Sequence, residues 1–316
     1  MNIFGPVPSR RLGKSIGINN IPPKYCTYAC VYCQLGKALK MSVKREEFFH
    51  PDDLYKQVEE KLQRTKEDGE RVDYLTVVPD GEPTLDRNLG SLLQKLKKLN
   101  TKLAVITNAS LLSDADVRDE LSPADYVSVK VDSVDQSIWR KIDRPHPKLY
   151  LDDILDGVTA FSGQFSGKLV TETMLIKNLN DGPYSIQETA NFISSLNPAE
   201  AYLGIPTRPP AEPWAVASEE VTINEAYQIY SEKIKHVEYL IGYEGNAFPF
   251  TGNLEEDILS ITAVHPMRED AVMEYVQNAA GDFSSIEKLV ESGQLIVSQY
   301  NNHRFYVRKL TLPQGK

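Results

Sequence analysis

Strand-like and helical stretches alternate about six times along this 316-residue chain, which predicts an α/β fold of βαβ units around a mainly parallel sheet. That count suits an open (βα)6 partial barrel and a doubly wound sheet alike. In Tyr126-Val127-Ser128-Val129-Lys130-Val131-Asp132 the valines share one face, and Ser128, Lys130 and Asp132 share the other. A parallel strand covered on both sides should be apolar on both faces, so a polar face lining a cleft favours the partial barrel. An edge strand with one wet face would read the same way. The last 50 residues break the rhythm: two helices and a hairpin outline a winged-helix-like α+β unit. The expected organisation is a domain over 1–250, with an N-terminal extension, and a small domain over 251–316.

Taken in order, Gly5-Pro6-Val7-Pro8 reads as an irregular entry, followed by Arg10, Arg11 and a short strand from Ser15 to Asn19. Pro22 and Pro23 keep the next loop, Tyr25 to Gln34, out of any helix. Leu54, Val58 and Leu62 recur at helical spacing behind a cap at Pro51 or Asp52. Tyr74 to Val78 is a buried strand ending in Pro79-Asp80-Gly81-Glu82-Pro83. A helix over Leu89 to Leu99, a strand over Leu103 to Ile106 and the turn Thr107-Asn108 follow.

The unit then repeats. A helix begins near Asp114, and Tyr126 to Val131 is a strand; Val134 to Ile142 and Leu151 to Phe161 are helical. Lys168 to Ile176 is a strand, Tyr184 to Leu196 a helix and Glu200 to Ile205 a strand. Pro206 to Trp214 forms a stiff proline-rich loop. Asn224 to Lys235 is helical, Val237 to Ile241 extended, and Gly242 to Gly252 a loop. Beyond it, helices over Glu269 to Ala280 and Ser284 to Glu291 precede a hairpin, Gln294 to Ser298 and Arg304 to Arg308, around Asn301-Asn302.

Composition narrows the class. The chain is 41% hydrophobic and 25% charged, ordinary for a globular protein, with no apolar run of membrane-spanning length. No basic and apolar leader opens it, and three cysteines cannot pair without an odd thiol; both point to a reducing, cytoplasmic setting. Net charge is −9, which disfavours nucleic acid as a partner, although a local basic patch can survive in an acidic protein. From Asn253 onward nine acidic residues face six basic ones, the wrong balance for a DNA-binding winged helix.

All three cysteines, Cys26, Cys30 and Cys33, fall in eight residues with C-x3-C-x2-C spacing. Three thiolates suit an iron–sulfur cluster or zinc. A structural zinc needs a fourth ligand, and the nearest downstream histidine is His50. A [4Fe–4S] cluster held by three cysteines instead leaves one iron free to chelate an amine and a carboxylate. The methionine part of S-adenosylmethionine (SAM) offers both. An electron passed into the sulfonium then breaks a C–S bond and leaves a 5′-deoxyadenosyl radical.

The triplet with Tyr32 before its third cysteine, followed by a strand and Gly81-Glu82-Pro83, resembles the radical SAM superfamily. Gly5-Pro-Val-Pro-Ser-Arg-Arg-Leu-Gly, Gly17-Ile-Asn and Cys30-Val-Tyr-Cys-Gln are similar, more narrowly, to Fe–S oxidoreductases related to the tRNA wyosine-base synthetases. The resemblance implies a partial (βα)6 TIM-like barrel, one cluster on Cys26, Cys30 and Cys33, SAM as cofactor, and a flavodoxin- or ferredoxin-like low-potential electron donor. It further implies that Tyr32 lies along the adenine and that Gly81, Glu82 and Pro83 face the SAM amino group. Asn108, with Ser128 or Lys130, would reach ribose or carboxylate, while Ile176 and Ile205 would flank the adenine. Two departures stand out. Asp80 occupies a position that is usually glycine, and no cysteine remains for the second cluster of the wyosine enzymes. The superfamily chemistry therefore carries over, and the wyosine reaction does not.

Plainer readings stand beside these. Arg10 and Arg11 are acid-binding groups or solvated surface; Lys130 and Asp132 are a buried ion pair or catalytic; Glu172 lies in the lumen or outside it. Tyr243, Glu244 and Asn246 are a closing loop or an ordinary one. The alternative function is a three-cysteine metal-binding regulator acting through the winged helix. The substrate is not legible.

Overall fold

The computed structural model describes residues 2–9, 11–241, 250, 253–264, 266–300 and 302–309. The chain begins with a strand where an irregular entry was expected. Strands β1 (Ile3–Ser9) and β2 (Gly13–Ile18) pair antiparallel, and the register slips between Phe4 and Val7 to accommodate Gly5-Pro6. The short strands β3 (Tyr25–Cys26) and β4 (Lys40–Met41) then bracket the cysteine loop.

The repeat follows as α1 (Pro51–Glu67), β5 (Tyr74–Val77), α2 (Leu89–Leu96), β6 (Lys102–Thr107), α3 (Ala115–Leu121) and β7 (Tyr126–Lys130). It continues through α4 (Gln136–Ile142), α5 (Leu151–Gln164), β8 (Lys168–Met174), α6 (Pro183–Ser195), β9 (Glu200–Gly204), α7 (Glu220–Ser231) and β10 (Val237–Leu240). Caps moved several boundaries. His50 rather than Pro51 or Asp52 caps α1, its Nδ1 accepting from the Asp52 N–H. Asp135 caps α4 through the Ser137 and Ile138 N–H groups, so that helix starts two residues later than its apolar pattern suggested. Helix α7 begins four residues before the expected Asn224.

Strand order in the main sheet is β1-β2-β5-β6-β7-β8-β9-β10, with every pair after the first parallel. The order never reverses. Right-handed crossovers that all step the same way place every helix on one face, so the sheet curls into an open partial barrel. A doubly wound sheet would need a reversal, and is excluded.

Alternation then sorts side chains between two layers. Leu75, Leu103, Val105, Val127, Val129 and Leu169 join the core under the helices, together with Leu54, Val58, Leu92, Leu93 and Phe161. On the inner face Ala104, Tyr126, Val170 and Tyr202 form an apolar floor, completed by Leu12 from the β1–β2 turn. The N-terminal hairpin thus plugs the bottom of the barrel. Gly17 in β2 makes room for it, because a Cβ there would lie 2.0 Å from the edge of the Phe4 ring.

Helix α8 (Leu254–Val264), β11 (Met267–Arg268), α9 (Glu269–Asn278), α10 (Ser284–Glu291), β12 (Leu295–Tyr300) and β13 (His303–Arg308) make a second unit with a three-stranded sheet, β11-β13-β12. Its core includes Ile258, Met267, Val272, Tyr275, Ile286 and Leu295, and Val7 of β1 packs against it. Arg10, Asn301 and the loop residues Tyr243, Glu244 and Asn246 lie outside the described residues, and so does Thr251 at the expected domain boundary. Among the described residues no helix is long and apolar enough to cross a membrane.

Overpacking at the plug is open to test. Gly17→Ala should destabilise the fold by about 1–3 kcal/mol, read from urea midpoints, because the added methyl meets Phe4 in a full layer. Phe4→Leu in the same chain should recover part of that loss; no recovery would mean that Gly17 serves another purpose.

Candidate functional site: a thiol-lined cavity at the mouth of the barrel

The strands end around a cavity of about 360 Å³ lined by Cys26, Cys30 and Cys33. The cysteine loop is docked on both flanks. Its Ala29 and Val31 N–H groups donate to the Asp143 and Ile142 carbonyls (3.0 and 2.8 Å), and the Val31 carbonyl accepts from the Glu212 N–H (2.9 Å). The thiols are free, and burial pushes all three above the ordinary thiol value, Cys26 to about 12. A thiol so placed stays protonated until a cation displaces its proton. Cys30 donates to Asp143 Oδ1 at 3.3 Å, and Asn108 Nδ2 approaches the Cys26 sulfur at 3.6 Å.

Opposite the loop, the 80–83 turn is held by one carboxylate. Glu82 Oε1 accepts from the Thr84 N–H (3.0 Å), the Thr84 hydroxyl (2.6 Å) and the Thr107 hydroxyl (2.6 Å), and Oε2 from the Asn108 N–H (2.8 Å). Burial raises its pKa, while those donors pull it back. The Glu82 N–H in turn donates to the Tyr25 carbonyl at 3.1 Å. A Cβ on Gly81 would overlap that carbonyl oxygen, so the close approach of turn and loop demands glycine.

Below the cavity lies a charged layer. Lys130 Nζ sits 3.3 Å from Asp132 and 3.2 Å from Glu172, and Glu172 also binds Arg11 at 2.5 Å. Burial opposes ionisation of Glu172, but Lys130 and Arg11 hold it down at about 2. Burial would likewise lower Lys130; Asp132 and Glu172 hold it above the usual lysine range instead. The Tyr32 hydroxyl bonds Asp132 and, at 3.3 Å, Asp143, and Lys130 lies 4.7 Å from the Tyr32 ring centroid. Burial, then Asp132, raises the Tyr32 pKa. Glu172 and Arg11 thus face the lumen, and Lys130, itself at the cavity wall, is ion-paired with the buried Asp132.

Of the sequence-derived site residues, Tyr32, Gly81, Glu82, Asn108, Lys130 and Ile205 line this cavity with the cysteines. Three do not. Pro83 is buried at the start of a 3-10 turn, Ser128 lies deeper and accepts from Arg11 at 3.3 Å, and Ile176 packs against Val31, Ile142 and Ala215. Lys24, Asp143 and Arg208 belong to the site or its supports and were missed. Asp143 ends α4, where no periodicity marks it, whereas an acidic residue immediately before Arg-Pro at a helix end was the available signal.

Residues 20–193 match the radical SAM superfamily. That span covers more than half of the chain. The chain belongs to the radical SAM superfamily. It is similar to UPF0026 protein MJ1312 of Methanocaldococcus jannaschii, 46% identical over 97% of this chain and 96% of that one. It also resembles UPF0026 protein slr1464 of Synechocystis, 39% identical over 66% and 76% of the two chains. Among solved structures, TYW1 with a lysine-pyruvate adduct bound superposes with a TM-score of 0.56 at 16% identity, over 70% of this chain and 74% of that one. Streptococcus suis SuiB bound to S-adenosylmethionine gives 0.51 at 16% identity, over 72% and 51%. These distant likenesses establish the partial-barrel fold. Membership in the radical SAM superfamily implies an iron–sulfur cluster and SAM, and the donor set fits: three unpaired thiols edge one cavity. Among the described residues no three His, Cys, Asp or Glu side chains converge as a single metal ion would require.

Asp80 gives a pH test. Burial lifts its pKa from 3.8 to about 7, against the pull of Arg308 and Lys24. Between about pH 4 and 7 the unfolded chain therefore sheds a proton that the native radical SAM fold retains, and stability falls as pH rises. Asp80→Asn should raise the urea midpoint at pH 8 and leave it unchanged at pH 4. A pH-independent difference would rule this out.

Proposed function

We propose that this protein is a radical SAM enzyme with a single [4Fe–4S] cluster on Cys26, Cys30 and Cys33, acting by hydrogen abstraction from its substrate. The observation that carries the reading is that three free, half-buried thiols and the Glu82-pinned turn line one cavity. When bound, the cluster and SAM supply reductive cleavage to a 5′-deoxyadenosyl radical.

The chain's own part is positioning. The Glu82 carboxylate is saturated by internal donors, so it shapes the turn, leaving the 80–81 backbone to face the SAM amino group, with Pro83 stiffening it from behind. Asn108 and Lys130 stand at the cavity wall for ribose or carboxylate, and Tyr32 and Ile205 for the adenine. Ser128 and Ile176 act from beneath, by fixing Arg11 and the apolar packing behind Val31. The apolar floor closes the barrel below and keeps water from a reactive intermediate.

We read residues 1–250 as the catalytic domain and 251–316 as a winged-helix-like domain with a buttressing role. Supporting that role, the Tyr300 hydroxyl donates to the Pro206 carbonyl at the cavity rim (2.9 Å). A low-potential flavodoxin- or ferredoxin-like protein completes the cytoplasmic system as reductant.

Anaerobic reconstitution should yield roughly four irons per chain. With dithionite and SAM, the wild type should release 5′-deoxyadenosine, and Cys30→Ala should lose this by at least 100-fold. Stoichiometric zinc without iron, or unchanged SAM cleavage in Cys30→Ala, would defeat the proposal.

A further inference from the structure

Charge is distributed very unevenly along the chain. Residues 1–45 contain eight Lys and Arg and no Asp or Glu, leaving 27 basic and all 44 acidic residues to positions 46–316. The cysteine loop is the middle of that basic stretch. In the fold its outer side presents Lys37, Leu39, Lys40 and Lys44, all exposed. Lys40 is anchored over the Tyr25 ring (4.5 Å), next to Cys26.

The proline-rich loop extends the same face. Glu212 pairs with Arg144 (2.6 Å) and Lys37 (3.3 Å), and Arg144 lies 5.8 Å from the ring of Trp214. Lys37 is 74% exposed while Glu212 is only 15% exposed, so the cations stand outward and their counter-charge is tucked beneath. Leu39 and Trp214, 47% and 48% exposed, are the apolar groups among them. Exposed apolar side chains interspersed with cations suit a protein interface for an acidic partner. The thiols adjoin it along the chain: Lys37 follows Cys33 by four residues, and Lys40 pairs in register with Tyr25, next to Cys26.

Resting on the radical SAM reading above, we propose that this face docks an acidic one-electron carrier protein. With no cysteine outside Cys26–Cys33, the chain has no thiolate site for a relay cluster, so an outside donor has to come up against the cysteine loop itself. In the encounter the carrier is oxidised by one electron and the cluster reduced by one, with no bond made or broken. The rim steers the carrier over a distance that ordinary salt screens, despite the overall charge of −9.

The probe is an acidic flavodoxin, bound in its oxidised form and used as hydroquinone to reduce the reconstituted enzyme. Lys37→Glu/Lys40→Glu should weaken flavodoxin binding at least tenfold at 50 mM salt, flatten its salt dependence and slow cluster reduction to match. Leu39→Ser should weaken binding without changing the salt dependence. In both variants dithionite reduction and SAM binding should equal wild type. The control Lys66→Glu/Lys98→Glu, with the same net charge change on the helical layer, should bind flavodoxin normally. Unchanged flavodoxin binding in Lys37→Glu/Lys40→Glu would overturn the proposal. So would loss of binding to bulk tRNA by that variant while flavodoxin binding stays intact, which would make the face an RNA surface. If flavodoxin binds with the expected charge dependence but wild type takes up no reducible cluster, the docking face stands and the radical SAM reading fails.

Discussion

One buried carboxylate sets the geometry on which the site depends. Glu82 is 1% exposed, and an ion so far from water survives only if donors replace its hydration. Thr84, Thr107 and Asn108 supply those donors, two of them from the end of β6 and the turn after it. Satisfying one side chain therefore fixes the spacing between the strand ends of β5 and β6. The cysteine loop is held to the same frame, because the Glu82 N–H bonds Tyr25 and Asn108 Nδ2 bonds Thr27 at 2.8 Å. Thiols and turn are thus parts of one rigid assembly and not two loops that happen to meet.

Beneath it the barrel is layered by polarity. The floor is mostly apolar, the next layer holds Arg11, Lys130, Glu172 and Asp132 in mutual pairs, and the cavity opens above. Charges this deep are costly unless paired, and each ion here has an opposite neighbour. Arg11 deserves its place in that layer because the β1–β2 turn enters from below and carries it past Leu12 into the lumen. The hairpin is both a seal and the source of a charge.

How much of this was legible in the sequence varied with the range of the interaction. The βαβ rhythm and the polar face of Tyr126–Asp132 are local patterns, and they led to the right barrel layer. The cysteine triplet and Gly81-Glu82-Pro83 were legible because their spacing is itself the signal. Strand β1 was not, since Pro6 and Pro8 argue against a strand, and only the slip in register lets them join an edge. Arg11 and Glu172, 161 positions apart, form a pair no local pattern can encode. Ser128 was placed correctly on its strand but below the cavity, because strand alternation gives the face and not the depth, whereas Ile176 lies past the end of β8 at Met174 and packs behind Val31.

The contact between Tyr300 and Pro206 gives the molecule a temporal order. The rim of the cavity is braced by a hairpin close to the last described residue, and α8 of the same unit packs on β1 from the first turn of the chain. During synthesis the thiols at positions 26–33 emerge well before Tyr300, whose hydroxyl braces the rim. A chain grown only through the barrel therefore holds its thiols beside a rim that still lacks this brace.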